Sequence, residues 1–153
     1  MEALAAAIEA SSLGTFARGS PFAYPLANLV HLLGLVLLIG GIGVVDLRLV
    51  GAFRGLPLVT LSRALTPLAL GGLALMALSG PLLFAADAVS LAKSDLFRWK
   101  LVLIGLALLN ALAFRRLWSG EEGEPGLALR AMAALSIGTW LVVAALGRLI
   151  AYA

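Results

Sequence analysis

The chain carries a single histidine, His31, and no cysteine. His31 stands about seven residues into an apolar run, which at 1.5 Å per helical residue places it roughly 10 Å beyond the helix start. An ionisable side chain at that depth in hydrocarbon is costly and marks a functional position by default. Ala27, Gly34, Leu38 and Gly41 follow at helical spacing on the same face. Such a face of small residues admits either a neighbouring helix or a flat cofactor. Three chemistries are therefore open: close helix packing with the imidazole hydrogen-bonded across a bundle, axial ligation of a haem, and proton transfer or ligation of another metal.

Other polar residues gather at the same depth. Tyr24 opens the histidine's run, Trp99 and Lys100 open a later one, and Asp87 and Arg148 close two more. Brought together at one mouth, the basic groups among them would suit an anionic ligand such as haem propionates or a porphyrin carboxylate. Taken singly, Trp99, Lys100 and Arg148 also fit as ordinary interfacial anchors. At the opposite mouth Asp46, Arg48 and Arg63 are expected to form a salt-bridged lock between the first two spans. Asn110, inside the third, needs a partner on another helix. Met76 and Met132 are too sparse for a methionine-lined copper path. Thiolate metal sites and thiol catalysis are excluded with the cysteines, and no phosphate loop or nucleophile motif supports a hydrolase or kinase.

The elements that must position these residues follow from composition. Of 153 residues, 62% are apolar and 12% charged, so the surface must face lipid. Four apolar stretches, at about 24–46, 61–84, 96–117 and 127–152, each approach the roughly 20 residues that cross a bilayer. The fold class is all-α: an integral membrane four-helix bundle, one transmembrane domain over 1–153, with the bilayer as its partner. Met1 to Ser12 is expected to be a short helix on the membrane surface covering one mouth, stopped at Gly14. It lacks the features of a cleaved signal peptide. Pro67, Gly71, Gly72, Gly80 and Pro81 predict kinks or close packing in the second span, and Glu121 to Gly126 a solvated turn.

The net charge of +3 is scattered over loops and helix ends, a mark of membrane topology with no affinity for nucleic acid implied. Six Lys or Arg residues fall on the side of the first and third loops and five on the side of the termini. This bias favours termini outside, in the periplasm of a bacterium, with the chain in the inner membrane. Exposed Gly and Ala faces permit a homodimer.

Tyr24-Pro25, His31-Leu-Leu-Gly34, Asp46-Leu-Arg48-Leu-Val-Gly51 and Phe97-Arg-Trp99-Lys100 resemble, over essentially the whole chain, a bacterial four-helix membrane family of unknown function. More distantly the chain is similar to the superfamily of the copper-resistance D proteins and the HemJ-type protoporphyrinogen oxidases. In the latter a histidine on an early helix is associated with haem b and a lysine is needed for activity, roles the resemblance would give to His31 and Lys100. Two departures matter: Trp99 directly precedes Lys100, and the additional histidines of many relatives are absent. A haem would then be five-coordinate, take a non-histidine ligand such as methionine, or be shared across a homodimer. The expectation is a haem b protein in a redox or porphyrin-related role, with a redox or periplasmic partner. The alternative is a metal-ion or proton permease or accessory subunit like the copper-resistance D proteins.

Overall fold

The computed structural model describes residues 2–118, 120 and 123–152. Two short helices, α1 (Glu2–Glu9) and α2 (Ser12–Gly19), precede α3 (Ala23–Val50) and α4 (Leu58–Ala86). A short α5 (Ala88–Lys93) leads into α6 (Asp95–Leu117) and α7 (Leu127–Leu149), which ends in a 3₁₀ turn at Ile150–Tyr152. No strand occurs among the described residues, and α3, α4, α6 and α7 are long and apolar enough to cross a membrane.

Local chemistry accounts for several boundaries. Ser94 caps α6 by accepting the Phe97 N–H at 3.3 Å; Asp95 sits in its first turn and Arg115 and Arg116 in its last, matching the helix dipole at both ends. Gly51, at φ 110°, ends α3 in the left-handed conformation. There the N–H of Ala52 bonds Leu47 O and that of Gly51 bonds Arg48 O, satisfying the last carbonyls. Pro67 and Pro81 leave α4 unbroken, and both lie on its exposed face.

The four long helices stand in the order α4, α3, α7, α6, each packed on the next. The α3–α4 pair is the closest. A Cβ on Gly72 would lie 2.5 Å from Gly34 O, and one on Gly34 would lie 2.7 Å from Gly72 O, so the two backbones touch where side chains are missing. Gly41 repeats this two turns on, against Leu65 O and Ala69. Only 6% of the most apolar window of α6 is buried, against 22% in each of the others, because α6 leans chiefly on α7. Phe84 of α4 stacks on Phe97 of α6 with centroids 5.4 Å apart, joining the two ends of the row on the side of the termini.

Two apolar clusters fill the bundle. Leu38, Ala69, Ala107, Trp140 and Val143 form the central one; Val45, Leu49, Leu58 and Ala133 form a second near the α3–α4 loop, edged by Phe114 and Trp118. At the terminal end α1 and α2 settle on the corner where α4 turns into α5. Arg18 of α2 donates to the carbonyls of Ala85, Ala86 and Glu9, and the Glu9 carboxylate accepts the Val89 N–H at 2.8 Å.

Four sequence expectations need correction here. The N-terminal segment is two helices with its break at Ala10–Ser11, and Gly14 lies within α2, where its missing side chain lets α2 approach the Ala85 carbonyl. The short α5 was not expected. Asp46 and Arg48 are not a charged exit: α3 continues to Val50, and both are buried. Nor do Asp46, Arg48 and Arg63 form an ionic lock. Arg48 Nε donates to Leu56 O at 2.8 Å, Arg63 is exposed, and no ion pair among the described residues joins the three. The cause is register: Arg48 points back at its own loop, where a carbonyl lies within reach. Glu121 and Glu122 of the expected turn lie outside the described residues, while Glu124 pairs with Arg130 at 2.5 Å.

Candidate functional site

His31 lies on α3 towards the side of the termini and faces α4. From α4, Ser79 and Gly80 line the ring: Nδ1 lies 2.9 Å from Ser79 Oγ, and Cε1 is 3.7 Å from where a Cβ on Gly80 would stand. From α6 the Lys100 ammonium comes within electrostatic range of the imidazole. From α7, Gly147 receives that lysine, whose Nζ lies 3.4 Å from the position a Cβ there would take. His31 and Lys100 are both partly buried.

The hydroxyl of Ser79 holds the imidazole. Ser79 is buried and its hydroxyl reaches back to Leu75 O at 2.7 Å, one turn earlier on α4. With that proton committed, its oxygen can accept from Nδ1 of His31. A histidine that serves as a ligand or a base commonly has one ring nitrogen held by a polar neighbour in this way.

Lys100 has no carboxylate or hydrogen-bond acceptor among the described residues. Two groups that are neutral or positive thus stand together with no negative partner, which favours an anionic ligand over a bare cation. The described residues also offer no group of three His, Cys, Asp or Glu side chains for a metal ion. A haem brings its own four nitrogens and asks the protein for one axial ligand, which His31 can supply. Gly80 and Gly147 leave unfilled positions beside His31 and Lys100. The donor set therefore fits one axial position and one carboxylate anchor.

The remaining sequence-derived residues are placed differently. Gly34 is buried against α4, so the small-residue face of α3 is a helix contact and not an open pocket wall. Tyr24 and Trp99 are exposed and do not join the His31 group. Arg148 is exposed too; its guanidinium hydrogen-bonds Tyr152 Oη and lies 4.6 Å from that ring's centroid. Asp87 is exposed at the α4–α5 junction. Asn110 donates to Met132 O at 3.0 Å and ties α6 to α7, as a polar group in a span is expected to do. Ser79 is the functional residue that sequence reasoning passed over. Its signal was a hydroxyl deep in the second span at the same distance from the terminal side as His31, two residues before Pro81.

Compared with protein-family models, with curated proteins and with solved structures, the chain matches none.

Proposed function

We propose that this integral membrane protein binds haem b through Nε2 of His31, with Lys100 paired to a haem carboxylate, and serves a redox or porphyrin-related reaction. The observation that carries the reading is the Ser79–His31 hydrogen bond, which holds the ring by Nδ1, near a lysine with no carboxylate partner among the described residues. When bound, the haem would supply one-electron chemistry. The protein's part is to fix the ring, to supply the positive charge and to exclude water with the apolar cluster below. The small-residue face is taken by α4, so a haem would have to lie beside Gly80 and Gly147, where the unfilled positions next to His31 and Lys100 are of methyl size. Any second histidine ligand would have to come from another copy of the chain, since His31 is its one histidine. A redox partner would dock at the terminal side, which the one-residue excess of positive charge on the opposite loops would make the periplasmic face of the inner membrane.

The test is an absorption spectrum of detergent-purified protein expressed with ample haem, oxidised and then dithionite-reduced, beside His31→Ala and Lys100→Met. A Soret band that shifts on reduction, vanishes in His31→Ala and weakens in Lys100→Met is the expected result. A featureless spectrum of the folded wild-type chain would reject haem binding and leave the permease reading in its place.

A further inference from the structure

A second ionisable group lies inside the bundle, far from His31. Asp46 occurs four residues before the end of α3, about 6 Å inside the helix at 1.5 Å per residue. Its side chain is buried at 5% exposure, and Oδ2 is sealed from the surface with no hydrogen-bond partner. It borders a hollow of about 40 Å³ between α3 and α7, whose other walls include Ile42, Gly43, Ile137 and Trp140. Ile39 and Leu141 complete the lining, so beyond Asp46 the walls are apolar and offer the carboxyl no polar partner.

The groups around Asp46 do not balance a negative charge. From α3 itself comes Arg48, whose Nε is committed to Leu56 O. From α7, Ser136 is buried but makes no hydrogen bond to the Asp46 carboxyl, while that helix's charged residues, Arg130 and Arg148, lie near its two ends. From α4, Ser62 and Thr66 are spent on each other at 3.2 Å, and Arg63 is exposed. From α6, Asn110 is bonded to Met132 O. An ionised carboxylate enclosed this way would lack the pairing that makes buried charge tolerable. A metal cation in the hollow would need several oxygen ligands, whereas the lining offers one carboxyl. A proton needs a single oxygen.

The geometry points to Asp46 as a carboxyl that keeps its proton inside the span, beside the apolar hollow between α3 and α7. The site is independent of what His31 binds.

Infrared difference spectroscopy of lipid-reconstituted protein, wild type against Asp46→Asn, tests this directly. In mildly acidic buffer, where an exposed aspartate is ionised, the wild type should show the carbonyl stretch of a protonated carboxyl that the variant lacks. A difference confined to carboxylate bands would overturn the proposal. Labelling of the wild type with dicyclohexylcarbodiimide, which adds to protonated carboxyls in apolar surroundings, covers the case of a variant that does not fold. Mass spectrometry should then place the adduct on Asp46, falling several-fold from mildly acidic to alkaline buffer. Modification of Asp46 only after denaturation in SDS would show a carboxyl that is ionised in the folded chain, and would equally sink the idea.

Discussion

Replacing Gly72 by alanine tests the packing on which the whole bundle rests. The added Cβ would lie 2.5 Å from Gly34 O, 2.6 Å from Leu38 N and 2.9 Å from Leu37 Cβ. Two of these atoms are backbone and cannot rotate away. An ordinary contact begins near 3.4 Å, so α3 must retreat from α4 by about 0.9 Å at this crossing. A gap of 0.5–1 Å forfeits roughly a quarter to a half of the dispersion energy of the atoms facing it, and overpacking a well-filled interior costs about 1–3 kcal/mol. Helix association in lipid depends on such packing, so a loss of about 2–3 kcal/mol is expected. Gly71→Ala is the control. Its Cβ would meet open space, and exchanging Gly for Ala in a helix is neutral or stabilising by up to about 1 kcal/mol. The assay is SDS titration of protein in mixed micelles, followed by helical circular dichroism. Gly72→Ala should unfold at a clearly lower SDS fraction than the wild type while Gly71→Ala should not. Equal midpoints for the two variants would refute the claimed backbone contact.

Other expectations follow from the same geometry. Ser79→Ala removes the acceptor that orients His31; loss of such a supporting bond typically lowers metal affinity about 10–100-fold, so haem retention on a size-exclusion column should fall while the fold persists. Unchanged retention would show that Ser79 does not position the ring. Asn110→Ala should lower the SDS unfolding midpoint by the equivalent of about 0.5–1.5 kcal/mol, the range for interhelical hydrogen bonds in membranes; no shift would mean that its bond to Met132 O contributes nothing net. Because the chain has no cysteine, single-cysteine variants report topology cleanly. A membrane-impermeant maleimide should label Ser12→Cys in intact cells and Gly55→Cys only after permeabilisation, and the reverse pattern would invert the orientation given above.

The four spans were legible because a bilayer demands length and apolarity, which appear in sequence as uninterrupted runs. The first span reads short, since Asp46 and Arg48 look like an exit until a carbonyl at Leu56 and a hollow at Trp140 are known to receive them. His31 and Lys100 were found together because both lie a short distance inside helices that start on the same side. Arg148 was misplaced because its depth is right but its direction is not: Tyr152, one turn later, takes it outward. Small residues gave the most ambiguous signal. A glycine face tells that something flat comes close, and only the structure identifies α4 as that object. Ser79 escaped notice since a serine in an apolar span is unremarkable until its register opposite a histidine is fixed.

The sideways attachment of α6 sets how this sequence can vary over evolutionary time. Held mostly by α7, with 6% of its apolar window buried, α6 turns Leu101, Val102, Leu106, Leu109 and Leu112 outward, where any lipophilic residue serves equally well. Those positions should drift freely among Leu, Ile, Val and Phe between related chains. The glycines at the α3–α4 crossing have no substitute, and Lys100, on the same helix as the drifting positions, is held by a different constraint from its neighbours. Within α6, two rates of change should therefore alternate with the turn of the helix, and their phase would reveal its inward face without a structure.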